Sequence, residues 1–193
     1  MSITVAIFIN SEKKEFLISL AKALEEEYKF KTRLILRDEG VKKFVNKFYP
    51  GRSQDIVLTN LKTPIKDVLL ESLTIERKYN KKISMLLSED RALGQGYLFN
   101  IEKIPNIKRA SWTHEKKLNE FIQSVKKCEI AITGCDLVIR QWPDKITTMI
   151  AKKMEINCFT FVPIKFGSRM FWSDNDYITS TNYINSSFAN SYY

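Results

Sequence analysis

The chain has 193 residues, of which 31 are Lys or Arg and 22 are Asp or Glu, giving a formal net charge of +9 at pH 7. Hydrophobic residues make up 44% and charged residues 27% of the chain, a composition that excludes a disordered polar chain. Glycine and proline, at 6 and 5 residues, are too sparse for a collagen-like or Pro-rich sequence.

The sequence predicts neither a transmembrane helix nor a secretory signal. No window has the roughly 18 consecutive apolar residues that a transmembrane helix requires. No basic segment precedes the apolar run 3–9, so we expect no secretory signal. Three cysteines without a CxxC spacing and a single histidine do not make a zinc set, and no metal or cofactor is predicted. We therefore expect a reduced, cytoplasmic protein.

Strand-like and helix-like patterns alternate along the chain. The predicted strands are residues 3–9, 32–36, 55–59, 83–87, 137–140 and 158–164. Between them, apolar residues at spacings of three and four predict helices. These helices are one capped by Asn10 or Ser11, one over 41–48, one from Thr63-Pro64 to about Tyr79, one over about 113–127, and one over 145–155 capped by Asp144.

This alternation indicates βαβ crossovers. We predict an α/β fold, a Rossmann-like three-layer sandwich with a mainly parallel sheet of about six strands. Residues 1–173 would form a single domain, and residues 174–193, rich in Asn, Ser, Thr and Tyr, would be a polar tail or linker. Ligands of such sheets bind outside the carboxyl ends of the strands, so the loops there are the candidate sites.

Common nucleotide and hydrolase motifs are absent from the sequence. There is no GxGxxG or GxxxxGK[ST] after the first predicted strand, and no GxSxG. These absences make a dinucleotide dehydrogenase, a P-loop NTPase and a serine hydrolase improbable.

The segment 88–100 is the densest polar stretch, and the predicted strand 83–87 would place it at the carboxyl edge of the sheet. Glu89 and Asp90 could act as a general base or, with Arg91, bind sugar hydroxyls. Gly94 and Gly96 would let the backbone approach a ligand closely, and Tyr97 offers a ring on which a ligand could stack. Asn100 is a further candidate for hydrogen bonding in this segment. The alternative is a helix cap, an ordinary ion pair and a glycine turn.

A second cluster follows the last predicted strand. Lys165, Ser168 and Arg169 surround a glycine, and Trp172 is one of three aromatic residues beside them. Cations at a strand end suit an acidic sugar or a phosphate, whereas the alternative is a surface loop held by its aromatic residues. His114, at the start of a predicted helix, is a further candidate, with a capping or packing role as the alternative.

Basic residues are concentrated between residues 29 and 52, where eight lysines and arginines stand against Asp38 and Glu39. Such a surface could meet anionic lipid or nucleic acid. No motif that reads nucleic acid accompanies it, so nucleic acid is the less favoured partner. Solvated lysines are the default interpretation, followed by a membrane surface.

The two late segments resemble those of capsule and surface polysaccharide biosynthesis proteins. Glu89-Asp90-Arg91 followed by Gly96-Tyr97-Leu98 is similar to an acidic-Gly-Tyr-Leu segment of that family. The basic residues 165–169, followed by the aromatic-Ser-Asp turn 171–175, are similar to its later loop. Those proteins are similar to GT-B glycosyltransferases, which have two Rossmann-like halves, and the resemblance covers about residues 80–180.

The resemblance implies that this chain corresponds to the N-terminal half, which holds the glycan or glycolipid acceptor without an obligatory metal. Since two domains of typical size need about twice this length, we expect the donor-binding domain to be missing from this chain and the chain alone to be inactive. The protein would attach to the inner face of a membrane. The competing hypothesis is a non-enzymatic, basic α/β module that binds nucleic acid or an acidic partner.

Overall fold

The computed structural model describes residues 2–10, 13–52, 54–89, 113–141, 144–163 and 170–173. The chain divides into two compact units. The first comprises residues 1–61, 131–143 and 154–193, and the second comprises residues 62–130 and 144–153. The predicted single domain over 1–173 and the tail over 174–193 stay predictions.

The first unit contains a six-stranded sheet within the described residues. Its strands are β1 (Thr4–Ile9), β2 (Lys31–Leu36), β3 (Ile56–Val57), β4 (Leu137–Arg140), β5 (Asn157–Pro163) and β6 (Met170–Ser173). Their order across the sheet is β3-β2-β1-β4-β5-β6. All neighbouring pairs are parallel except β5 and β6, which are antiparallel. The α/β class and the mainly parallel sheet of about six strands are confirmed.

One face of the sheet is covered by helices α1 (Lys14–Glu26) and α2 (Glu39–Phe48). The core residues on this face are apolar and alternate along the strands, as the two-residue period of a strand requires. They include Ile7 and Ile9 of β1, Leu34 of β2 and Phe161 of β5, all almost completely buried. Leu17, Ile18 and Ala21 supply the buried stripe of α1, so this helix is held by its apolar face.

The amino ends of β1 and β4 are joined by two reciprocal hydrogen bonds. The backbone N–H of Thr4 donates to a carboxylate oxygen of Asp136 at 2.7 Å, although the two residues lie 132 positions apart in the chain. The N–H of Asp136 donates in turn to the Thr4 carbonyl at 2.8 Å. This pair fixes the register in which Val5 lies beside Leu137.

The second unit is helical in the part of the chain that the structure describes. Its helices are α3 (Val68–Tyr79), α4 (Ile83–Glu89), α5 (His114–Ile132, whose last two residues fall in the first unit) and α6 (Lys145–Lys153). Asp67 caps α3, because its carboxylate accepts hydrogen bonds from the N–H groups of Leu69 and Leu70. The predicted cap of α6 is confirmed, since Asp144 accepts from the Thr147 N–H at 2.7 Å.

Three sequence predictions are wrong. Residues 83–87 are not a strand but part of α4, where Ile83, Leu86 and Leu87 are buried at the spacing of a helix. Helix α1 is not capped by Asn10 or Ser11, because its N-cap residue is Lys13. Helix α3 begins after Asp67 rather than at Thr63-Pro64.

Candidate functional site

The carboxyl edge of the sheet is the candidate ligand-binding edge. Strands β2 and β3 lie on one side of β1, while β4, β5 and β6 lie on the other. In open α/β sheets, ligands bind outside the carboxyl ends of the strands where the chain direction across the sheet reverses. In this sheet the reversal lies between β1, which ends at Ile9, and β4, which ends at Arg140.

On the β1 side, helix α1 begins with two basic residues, of which Lys13 is exposed and Lys14 is partly buried. Its N-cap residue, Lys13, has a left-handed backbone (φ 51°), and the Lys13 side chain makes no capping hydrogen bond within the described residues. Lys14 follows as the first helical residue, and Glu15 is an acid in the first turn. The N–H groups of a first turn and the positive end of the helix dipole favour anions, as do the two lysines.

On the other side, a row of buried polar residues crosses three strands. Arg140 of β4 is in register with Thr160 of β5, which is in register with Ser173 of β6. These residues are 4%, 2% and 1% exposed, and Gln141, which follows Arg140, is also buried. The Arg140 Nε donates to the Thr160 hydroxyl at 3.0 Å. A guanidinium keeps its charge even when buried, so this row places a fixed positive charge at the end of β4.

Arg140 was not singled out from the sequence. The signal that could have found it is an arginine directly after the apolar run Leu137-Val138-Ile139, because a charge at the end of a buried strand needs a specific role.

Trp172, a predicted substrate-binding residue, lies in β6 and is 38% exposed. Its ring meets the buried Phe161 ring edge-on, with 5.7 Å between centroids, and Phe161 in turn meets Phe16 at 5.2 Å. Trp172 therefore anchors β6 to the core with part of its surface. The remainder of the Trp172 side chain is exposed.

The basic candidates Lys165, Ser168 and Arg169 lie outside the described residues. The residues that flank them are described, because β5 ends at Pro163 and β6 begins at Met170, and these two residues are register partners. Since β5 runs parallel to β4, its last residue lies at the carboxyl edge.

The acidic segment loses the placement that the sequence predicted for it. Glu89 is the last residue of α4, so it follows a helix instead of a parallel strand, and the strand on which its predicted position at the carboxyl edge depended is absent. Asp90, Arg91, Gly94, Gly96, Tyr97 and Asn100 lie outside the described residues.

His114 is the first residue of α5 and is exposed. It lines a cavity of about 710 Å³ in the helical unit, together with Asp67, Ser72, Ser84 and Leu87 among others. The structure thus assigns His114 and Glu89 to the helical unit, and Trp172 to the sheet unit.

At the opposite, amino edge of the sheet, five residues form a closed polar network. The Arg52 Nε donates to both oxygens of Asp55 at 2.9 and 3.0 Å, and one of its terminal nitrogens donates to Glu25 at 3.0 Å. The other terminal nitrogen donates to the Thr32 carbonyl at 2.7 Å and to the Thr32 hydroxyl at 2.9 Å. The Tyr49 ring lies 4.5 Å from the guanidinium.

Glu25 accepts hydrogen bonds from the hydroxyls of Thr32 and Tyr49 as well. Burial acts to raise the pKa of Glu25, but the hydrogen bonds from Thr32, Tyr49 and Arg52 outweigh it and lower this pKa. Burial and the bond to Glu25 raise the pKa of Tyr49 to about 12. Burial also raises the pKa of Asp55, against the opposing charge of Arg52.

This network borders a cavity of about 380 Å³. Its polar groups already bind one another, and ion pairs with complete hydrogen bonding are a means of fixing a fold. We therefore interpret the amino edge as structural.

Within the described residues, no group of three or more His, Cys, Asp or Glu side chains could hold a metal ion. Cys128, Cys135 and Cys158 are not joined in disulfide bonds, and burial raises the pKa of the Cys135 thiol. No helix in the described part of the chain is long and apolar enough to cross a membrane.

Comparisons with protein-family models, with curated proteins and with solved structures each return no match to this chain.

Proposed function

We propose that this chain is the acceptor-binding half of a glycosyltransferase that builds a cell-surface polysaccharide. In this proposal the sheet is Rossmann-like, and an acidic sugar or phosphate group of the acceptor binds outside the carboxyl ends of β1, β4 and β5.

The observation that carries the proposal is the position of the β5–β6 connection. Its flanking residues, Pro163 and Met170, are register partners in two adjacent strands, and the next strand, β4, ends in the buried Arg140. The residues between them include Lys165 and Arg169. Lysine and arginine side chains suit an anionic group, and the partly exposed Trp172 suits the apolar face of a sugar ring.

The strand order also supports the proposal. The order β3-β2-β1-β4-β5-β6 is the order of the doubly wound nucleotide-binding folds, on which many unrelated activities occur. The order therefore supports the Rossmann-like assignment and the location of the ligand more than it supports the identity of the ligand.

The proposal no longer depends on Glu89 and Asp90 lying at the sheet. A general base among them, and contacts from Arg91 and His114 to acceptor hydroxyls, remain hypotheses carried by the sequence resemblance.

Contacts within the chain weaken the competing hypothesis of a basic module that binds nucleic acid, because they occupy several of its basic residues. Arg33 donates to the backbone carbonyls of Ala131 and Thr133 at 3.1 and 2.8 Å, and Arg52 belongs to the closed network at the amino edge. Lys29 donates to the Glu26 carbonyl at 2.7 Å, and Arg37 and Lys42 lie 3.8 and 3.9 Å from Asp38 and Glu39. At least five of the eight basic residues between 29 and 52 thus contact groups of the chain itself.

Binding of acidic oligosaccharides to the purified chain tests the proposal. We expect saturable binding of oligosaccharides that carry uronic acid or phosphate groups, and a loss of at least about tenfold in Arg169→Ala, because a charge-assisted hydrogen bond contributes about 1.5–3 kcal/mol. The matched control is Arg77→Ala, which removes an exposed arginine from α3.

Equal losses in both variants, or no binding by the folded chain, would contradict the proposal. Salt-dependent binding of random-sequence oligonucleotides without oligosaccharide binding would favour the competing hypothesis.

A further inference from the structure

The outer side of helices α1 and α2 exposes aromatic rings beside lysines. Phe44 and Phe48 of α2 are in contact, with 4.6 Å between ring centroids, and Phe48 is 47% exposed. The Lys14 ammonium lies 3.9 Å from the centre of the Phe44 ring, and the Lys47 ammonium lies 5.5 Å from that of Phe48. The phenylalanine side chain has no polar atom, so its exposed surface makes no hydrogen bond with water.

Lys43 extends this cluster. It is exposed, and it precedes Lys47 by four residues on α2, so the two side chains lie on the same side of the helix. We call Lys14, Lys43, Phe44, Lys47 and Phe48 the basic–aromatic surface. The acid at the start of α2, Glu39, already accepts a hydrogen bond from Asn60 and lies 3.9 Å from Lys42, so the surface is positively charged overall.

We propose that the basic–aromatic surface docks the protein on an anionic lipid bilayer. A helix that lies in a bilayer interface combines lysines, which are attracted by the negative surface potential, with apolar side chains that enter the headgroup region. In this proposal the three lysines lie over the headgroups and Phe48 is inserted among them.

Lipid is favoured over nucleic acid by the geometry of the rings. The faces of aromatic rings that bind nucleic acid must be open for bases to stack on them. Here the Phe44 ring contacts Lys14 and Phe48, and the Phe48 ring contacts Phe44 and Lys47. The cations of this surface are lysines, whose compact charge is attracted by the negative surface potential of a bilayer. Arginine, in contrast, binds an individual phosphate with two parallel hydrogen bonds.

The inference does not rest on the proposed glycosyltransferase function, because it uses neither the carboxyl edge of the sheet nor any residue predicted to contact an acceptor. A protein that fails to bind oligosaccharides could still bind vesicles through this surface, and the converse also holds.

The test is co-sedimentation of the full chain with vesicles. We expect binding to vesicles of phosphatidylcholine with about one third phosphatidylglycerol, weak binding to phosphatidylcholine alone, and weaker binding at high salt. Each lysine near an anionic bilayer contributes about fivefold in affinity. Replacing Lys14, Lys43 and Lys47 together by Gln should therefore weaken binding at least about tenfold.

The matched control replaces Lys62, Lys152 and Lys153 by Gln, which removes the same charge from exposed positions outside this surface. A loss as large as that of the first triple variant would overturn the proposal, since it would mean that net charge alone is responsible.

A second pair of variants tests the apolar contribution. Phe48→Ala should weaken vesicle binding several-fold, whereas Phe48→Leu, which keeps an apolar side chain of similar reach, should retain most of it. Both variants change a side chain that is about half exposed, and circular dichroism verifies that they fold.

Two outcomes would overturn the proposal: no binding to the anionic vesicles by the folded chain, or equal vesicle binding by Phe48→Ala and the unchanged chain. Binding of random-sequence oligonucleotides that the first triple variant abolishes, without vesicle binding, would assign the surface to nucleic acid instead.

Discussion

The two edges of the sheet place buried arginines in different surroundings. At the amino edge, Arg52 binds two carboxylates, a hydroxyl and a backbone carbonyl within one closed network. At the carboxyl edge, Arg140 is 4% exposed and its Nε donates to the hydroxyl of Thr160. Helix α1, which follows β1 in the chain, begins with two lysines.

The difference separates a stabilising cluster from a candidate binding region. A charge paired with two carboxylates of the same chain has little to offer a ligand, whereas Arg140 lies at the edge where sheets of this kind bind their ligands. Substitutions at the amino edge should therefore change stability, and those at the carboxyl edge should change stability less and ligand binding more.

The largest effect is expected for Arg52→Leu. This change leaves Asp55 buried without its counter-charge, and breaking a buried ion pair in this way costs about 3–5 kcal/mol of unfolding free energy. Urea denaturation measures the loss. Arg37→Leu is the control, because Arg37 is exposed and lies 3.8 Å from Asp38, and it should change stability by less than about 0.5 kcal/mol. If Arg52→Leu costs less than about 1 kcal/mol, the amino edge is not a stabilising cluster.

A smaller effect is expected for Thr160→Val at the carboxyl edge. Valine has the shape of threonine but leaves the Arg140 Nε without the hydroxyl of Thr160, at a cost of about 1–3 kcal/mol. Thr160→Ser keeps the hydroxyl and should cost less. Urea denaturation of both variants and oligosaccharide binding at a temperature where both are folded are the measurements. Unchanged binding of oligosaccharides by Thr160→Val would argue against a role for Arg140 in the site.

The smallest effect at neutral pH is expected for Tyr49→Phe, which removes one hydrogen bond to Glu25 and should cost about 1 kcal/mol. The distinctive effect of Tyr49→Phe on stability is expected at alkaline pH. Tyr49 loses its proton near pH 10 in the unfolded chain but only near pH 12 in the folded chain, because burial and Glu25 raise its pKa to about 12. Between these values the folded state holds the extra proton, so stability falls as pH rises.

Tyr49→Phe should therefore lose less stability than the unchanged chain between pH 10 and pH 12, as measured by urea denaturation at each pH. Tyr28→Phe, at a position 63% exposed, is the control and should follow the unchanged chain. Identical slopes for Tyr49→Phe and the unchanged chain would contradict a protected Tyr49 hydroxyl.

The parts of the fold that the sequence predicted are those where the apolar pattern has only one interpretation. The run at β1 is β-branched and continuous, and the helix after it has apolar residues at helical spacing, so both were found. Residues 83–87 were predicted wrongly because a segment of five residues, four of them apolar, fits a strand or a helix. Strand β6 was missed because four residues after a glycine-containing connection give too short a pattern.

The site was harder to predict than the fold because its partners are distant in the chain. Arg140, Thr160 and Ser173 meet only through the register of three strands, which no local pattern encodes. Trp172 was found as a candidate, but its contact with Phe161 depends on which face of β6 each residue occupies. The predicted position of Glu89 lost its support when residues 83–87 proved to be helical.

The reciprocal bonds between Thr4 and Asp136 have a consequence for biosynthesis. After Thr4 has been synthesised, 132 further residues must be added before Asp136 exists. Until then β1 lacks its neighbour β4, and one edge of β1 stays exposed in the nascent chain. Pairing between such distant segments is slow because a long loop must close first. Chaperone capture during translation should therefore be strongest before Asp136 leaves the exit tunnel.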